Sequence, residues 1–328
     1  MVMEDSAQQT VAPIELALDL EYIDSNLYRS KQLWTPAGNR GVFGGQVVGL
    51  ALSAAAKTVD SKFQVHSLHS YFLLAGDHSL PIIYRVYRIR DGKSYASRTV
   101  TARQRGRVIF MLMCSFQVEE FSPLAHQYDM PNVPLPESLK STEQRLREWL
   151  EDPRAEKYHK TIQMRLEQPI AVDIRPVGHR RLNLDSRDPI QMVWMRAIGR
   201  LPDGIAFHHC VAAYCSDHEL LNTSLIPHGL ARLGGHRKLT MLTSLDHAIW
   251  FHAPFRADEW LLYVMESPRS IGGRGFAHGR VYTQDGRLVM STAQEGVVRV
   301  NTSPKTDESE PLATGKFTPL KYTVSAKI

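Results

Sequence analysis

Three residues in the second half of this 328-residue chain carry side chains that could act together: Asp217, Ser244 and Gln294. Asp217 sits in the middle of a mostly apolar helical stretch, read as Ala206 to Leu225. A carboxylate inside such a helix loses hydration and needs hydrogen-bond partners. A serine hydroxyl and a glutamine carboxamide can supply them, and the three groups together can hold one water molecule. They stand out through a comparison internal to the chain. Ser244-Leu245-Asp246-His247-Ala248-Ile249-Trp250-Phe251 echoes Ser67-Leu68-His69-Ser70-Tyr71-Phe72. Each segment is followed by further strand-like runs, a turn (Gly106-Arg107, Gly286-Arg287) and a last apolar run. Self-similarity across such a series marks a duplicated unit. With the copies overlaid, Asp217, Ser244 and Gln294 face Ser53, Ser67 and Cys114. Packing demands are the same in both copies, so a polar trio confined to one of them has a reason other than folding.

The elements that position the trio can be read in order. Residues 1–15 are expected to form a loose arm, and Leu20 to Trp34 to enter the first sheet. Gly44-Gly45 frees the backbone at a helix entrance, and the Val, Leu and Ala residues up to Lys57 leave almost no polar face. A helix apolar all round is a buried one. Four strands follow, with turns at Ala75-Gly76-Asp77, Asp91-Gly92 and Arg105-Gly106. A long helix wrapped by an antiparallel sheet is the hotdog architecture, here an α+β double hotdog. The expected divisions are 16–120 for the first repeat, 121–185 for a proline-punctuated linker with surface helices, 186–302 for the second repeat and 303–328 for a flexible tail.

Composition narrows the function. A net charge of +5 and a pI near 9.0 suit an anionic ligand. They fall short of the concentrated basic face of a nucleic-acid binder, and no such motif is found. No apolar run reaches the length of a membrane span, and the acidic, polar start is not a secretory signal. Cys114, Cys210 and Cys215 have no zinc spacing and leave one over in any disulfide scheme, which points to a reducing compartment.

From Arg40 to Val300 the chain resembles the acyl-CoA thioesterase II family. The resemblance rests on Val42-Phe-Gly-Gly-Gln-Val-Val-Gly, Val65-His-Ser-Leu-His-Ser-Tyr-Phe, Ser244-Leu-Asp-His-Ala-Ile-Trp-Phe-His and Ala293-Gln-Glu-Gly-Val-Val-Arg. It implies a double hotdog that hydrolyses fatty acyl-CoA to free acid and CoA without metal or cofactor. It also implies that the family's catalytic Asp, Ser/Thr and Gln fall on Asp217, Ser244 and Gln294. The substrate partner would then be an acyl-CoA, with Arg269 and Arg274 as candidates for its phosphates. Ser325-Ala326-Lys327-Ile328 resembles a relaxed peroxisomal tripeptide, with an import receptor as the implied partner. One double-hotdog chain already resembles a single-hotdog dimer, which leaves homo-oligomerisation open.

Other chemistry fits these residues less well. His208-His209 and His247/His252 lack the carboxylate spacing that would complete a metal site, and the second pair points to opposite faces of a strand. No serine sits in a Gly-x-Ser-x-Gly elbow. Cys215 is expected to be an inert buried thiol. Asp246 is the nearest rival acid, with a structural hydrogen bond as its expected role. Gly272-Gly273-Arg274-Gly275 fits a turn better than a phosphate loop. Two further functions remain open: an enoyl-CoA hydratase, which would carry an Asp/His pair at the helix start, and a non-catalytic acyl-CoA binder.

Overall fold

The structure, a computed structural model, describes residues 11–169, 171–178, 187–230, 239–301, 317, 319 and 320. The first repeat opens with α1 (Pro13–Ala17), β1 (Leu20–Asp24) and β2 (Leu27–Ser30). The long helix α2 (Gly44–Ala56) follows, then β3 (Phe63–Phe72), β4 (Ile83–Asp91), β5 (Tyr95–Gln104) and β6 (Arg107–Val118). The connecting segment holds α3 (Thr142–Glu151), α4 (His159–Leu166) and β7 (Val172–Pro176). The second repeat comprises β8 (Ile190–Ala197), α5 (Ile205–Ser216), a 3-10 turn (Leu221–His228), β9 (Leu239–Ser244) and β10 (Asp246–Phe251). It ends with β11 (Leu261–Ile271), β12 (Arg274–Thr283) and β13 (Leu288–Val300).

The strands form one sheet in the order β1-β2-β4-β5-β6-β3-β10-β13-β12-β11-β8-β7, with β9 also on β13. The order reads the same from both ends: β2, β4, β5, β6 and β3 are matched by β8, β11, β12, β13 and β10. The halves join where β3 pairs antiparallel with β10. Asp246 lies against Tyr71 and Trp250 against Ser67, a register symmetric about His69 and Ala248. One irregularity also recurs: pairing slips between Ala102 and Arg103 in one copy and between Val281 and Tyr282 in the other. The chain is a double hotdog, and each sheet half wraps a buried helix.

These registers correct the overlay read from sequence. Val65 pairs with Phe116 as Ser244 pairs with Gly296, and His69 with Met113 as Ala248 with Ala293. Ser244 therefore corresponds to Val65, and Ser67 to Asp246. Cys114 keeps its place opposite Gln294. Asp217 is not in mid-helix: α5 ends at Ser216 and Asp217 is its C-cap, as Lys57 is for α2. Glu219 then takes a left-handed φ of 67°, fixed by Gln191 Nε2 donating to its carbonyl at 2.7 Å. Leu220, Leu221 and Leu225 extend the apolar period, but they are buried on the new axis of the 3-10 turn. Periodicity alone does not register that bend. The Ser244 strand is likewise two strands, broken at Leu245.

Two further expectations change. The arm is ordered from Pro13, because Ile14 is fully buried. The linker is not all surface either, since β7 extends the sheet by pairing with β8. Met130, Val133 and Leu139 pack on Trp194, Trp260 and Leu262, while Leu146, Ala155 and Ile162 form a small core of their own. Leu320 joins the Trp194 cluster and donates its amide to Glu266 Oε2 at 3.0 Å. Ala326-Lys327-Ile328 lies outside the described residues. Among those described, no helix is long and apolar enough to cross a membrane.

α2 and α5 run against one another with glycine at the contact. A Cβ on Gly45 would stand 2.3 Å from the Tyr214 carbonyl oxygen, and one on Gly49 would stand 3.0 Å from that of Cys210. Backbone atoms cannot yield to a methyl group as a flexible side chain can. Gly45→Ala should therefore lower the unfolding free energy by about 2 kcal/mol, within the range for overpacked sites, measured as a fall in the urea midpoint.

Candidate functional site

The helix ends bring the trio together. α5 delivers Asp217 as its last turn closes, and the N-terminus of α2, from the other repeat, meets it there. Gly45 N donates to Asp217 Oδ2 at 2.9 Å. The partial positive charge of a helix N-terminus attracts a carboxylate, worth about 0.3–1 kcal/mol and up to ~2 when partly buried. Two glycines are needed for this approach, because a Cβ on Gly44 would lie 2.7 Å from Asp217 Oδ2. The Gly45 amide, a helix-end donor of the kind that can stabilise an oxyanion, is thus committed to the carboxylate.

The sheet supplies the other two members. Gln294 Nε2 donates to Asp217 Oδ1 at 2.7 Å and to Ser244 Oγ at 2.8 Å, using both amide hydrogens. Ser244 Oγ accepts that bond and donates its own hydrogen to Asp217 Oδ1 over a long 3.5 Å. Gln294 is fully buried, whereas Asp217 and Ser244 are half-buried. The buried Gln294 Oε1 has no protein donor among the described residues. The arrangement therefore offers one weakly held hydroxyl hydrogen, one carboxamide acceptor and an anionic carboxylate within a single hydrogen-bonded cluster.

The neighbouring candidates resolve differently. Asp246 accepts from Glu295 N at 2.8 Å; burial chiefly, with the Glu295 charge, raises its pKa against that bond. Glu295 alternates away from Gln294 and pairs with Arg274 Nε at 3.0 Å, which puts Arg274 on the opposite face of the sheet from Gln294. Arg269 is exposed on β11, and neither arginine bonds to the trio. Gly272 and Gly273 are turn residues with φ of 61° and 73°. His247 and His252 bind Ser216 and Ser291 respectively, and the described residues contain no cluster able to hold a metal ion. The three cysteines are buried and free, and burial pushes the Cys215 thiol up to about 12.

Sequence reasoning missed the groups behind the trio. Phe43, the N-cap of α2, meets the His218 ring at a tilt at 4.5 Å and the Tyr214 ring edge-to-face at 5.1 Å. Beyond Tyr214 and His218 lies a cavity of about 780 Å³, walled by α3, β7 and Trp34. Arg147, Arg175 and Arg200 on its lining are already paired with Glu143, Asp173 and Asp203. Gly44-Gly45 was the available signal for the helix contact, since a glycine pair at a helix start permits close backbone approach.

Comparison with known proteins gives the family of the chain. The family profile described as acyl-CoA thioesterase matches residues 163–297, and that described as acyl-CoA thioesterase N-terminal domain matches 31–117. Acyl-coenzyme A thioesterase 8 of Homo sapiens is 45% identical over 300 residues, covering 90% of this chain and 91% of the relative. Peroxisomal acyl-coenzyme A thioester hydrolase 1 of Saccharomyces cerevisiae is 26% identical, covering 89% and 96%. The crystal structure of an acyl-CoA thioesterase II from Mycobacterium marinum is 37% identical with a TM-score of 0.69, covering 89% and 99%. A hot dog protein of Alicyclobacillus acidocaldarius shares the fold at a TM-score of 0.69 and 19% identity, covering 89% and 100%.

His247 sets a measurable acid limit on this region. Its ring is fully buried, and burial lowers its pKa from 6.5 to about 4. The ring stays neutral in the fold and charges in the unfolded chain, so its contribution is complete at pH 7 and lost as pH falls from 6.5 toward 4. By linkage this amounts to about 3 kcal/mol at pH 4. Unfolding titrations at pH 7 and pH 4 should show that loss shrinking in His247→Leu.

Proposed function

The chain belongs to the acyl-CoA thioesterase family, and from that premise we propose that Asp217, Ser244 and Gln294 hold and activate the attacking water. The enzyme hydrolyses acyl-CoA thioesters to a free acid and CoA. In this reading Ser244 Oγ and Gln294 Oε1 fix the water, and Asp217 takes its proton as the oxygen attacks the thioester carbonyl carbon. The tetrahedral intermediate collapses with cleavage of the C–S bond. The sulfur leaves as CoA thiolate and is protonated, so acyl-CoA and water become carboxylic acid and CoA.

The observation that carries the reading is the buried, unpartnered Gln294 Oε1 beside a carboxylate whose other contacts are made. A hydratase reading fits less well, because at the start of α5 the acids beside His208, Asp203 and Asp258, are paired with Arg256, and His208 Nδ1 accepts from Ala257 N. Asp217→Asn and Gln294→Ala should each lower kcat on a long-chain acyl-CoA by about 100-fold or more. Released CoA is followed with a thiol reagent and folding checked by thermal melting. Wild-type rates in both variants would remove the trio from the reaction.

Peroxisomal import belongs to the same proposal. It is supported by the resemblance of Ala326-Lys327-Ile328 to a targeting tripeptide and by the peroxisomal name of the yeast relative. A fluorescent protein fused ahead of the intact chain should enter peroxisomes and remain cytosolic once the three residues are deleted. Unchanged distribution would end that part of the proposal.

A further inference from the structure

Behind Asp217 lies a second polar cluster, and it converges on the preceding residue. Tyr263 on β11 donates its hydroxyl hydrogen to the Ser216 carbonyl at 3.0 Å. The Thr292 hydroxyl, 2.8 Å away, must then donate to the phenol oxygen. Ser216 Oγ donates to the Ala213 carbonyl at 2.9 Å, which leaves it to accept from His247 Nε2–H at 2.7 Å. Three strands, β10, β11 and β13, thus grip one residue at the end of α5. All four side chains are buried.

The first repeat is an internal control for this cluster. The sheet registers place Leu68 opposite His247, Leu112 opposite Thr292 and Tyr84 opposite Tyr263, and the helix ends place Ala56 opposite Ser216. Tyr84 is as buried as Tyr263, yet its hydroxyl has no partner. Val100 of the first repeat is replaced by Gly279, where a Cβ would lie 2.3 Å from the Tyr263 ring and 2.9 Å from Thr292 Oγ1. The same fold closes without the hydroxyl chain, and the second repeat gives up a side chain to make room for it.

We infer that Tyr263, Thr292, His247 and Ser216 form a positioning network. It fixes the Ser216–Asp217 peptide so that the carboxylate keeps its contacts with Gly45 N and Gln294 Nε2. The inference rests on the role given to Asp217 above. The hydrogen bonds of Tyr263 and its partners reach Asp217 through the Ser216 residue before it, so their effect falls on turnover and not on substrate affinity.

The test compares Tyr263→Phe with Tyr84→Phe, the same deletion at the equivalent buried position. Tyr263→Phe should lower kcat about tenfold, the loss that one such hydrogen bond converts to, with KM within about twofold. Tyr84→Phe should leave kcat within about twofold. Thr292→Val, which keeps the shape and removes the donor to the phenol, should lower kcat about threefold, a partial loss of that bond. In an Asp217→Asn background, Tyr263→Phe should add less than about a twofold loss, the non-additivity of residues acting as a unit. Wild-type kcat in both Tyr263→Phe and Thr292→Val, equal losses in the two Tyr→Phe variants, or a full further loss in the Asp217→Asn background would each overturn the network. A wild-type rate for Asp217→Asn alone would instead remove the role of the trio, and the inference with it.

Discussion

The site depends on a backbone contact between two helices that belong to different repeats. The Gly45 amide can reach Asp217 only because α2 lies against α5 with no side chain between them, and Gly44 and Gly45 are what permit it. The carboxylate is therefore satisfied by one half of the molecule and carried by the other. Gln294 then bonds to the opposite oxygen from the sheet side, so Asp217 is held between a helix end and a strand. The cost of desolvating a charge is offset by these bonds and by the helix dipole together. A side chain at Gly45 would push the helices apart, and one at Gly44 would displace the carboxylate itself.

Symmetry makes the specialised half visible. The shared register slips and the pairing centred on His69 and Ala248 describe two copies of one unit. What differs between them is polarity at equivalent positions: Lys57, Val65 and Cys114 against Asp217, Ser244 and Gln294. Cys114 is a buried thiol whose pKa burial raises far above its ordinary value, an inert group where the other copy has a carboxamide. The first copy closes the same fold without a carboxylate, hydroxyl and carboxamide at these positions, so the fold itself does not require the trio of the second. The outer faces differ too, because the connecting segment covers the Trp194 cluster of the second repeat. On the first repeat Tyr71, Tyr87, Met111 and Met113 are left exposed.

The duplication, the sheet strands and the identities of the trio were legible in the sequence, because a buried helix and alternating strands have distinct periods. The overlay was not. Ser67 and Ser244 match as letters, but the strands align two residues away from that match, with Ser244 at Val65 and Asp246 at Ser67. The irregularity at His66 is the counterpart of the break at Leu245. Only pairing with the last strand reveals which residue faces which. The bend after Ser216 escaped for a related reason, since Leu220, Leu221 and Leu225 continue a helical period on a turned axis. The hydroxyl chain through Tyr263 was hidden as well. A tyrosine in an apolar strand reads as core, and Tyr84 shows that it can be only that.

The join at His69 and Ala248 has a consequence for how such proteins can change. Because β3 and β10 share one ladder and α2 caps the carboxylate of α5, a half taken from one relative meets its new companion at two surfaces at once. Exchanging halves between related chains would have to preserve the ladder and the glycine approach together, so the two halves are constrained to drift as a pair. Duplication created two independent modules, and the shared carboxylate bound their later histories into one.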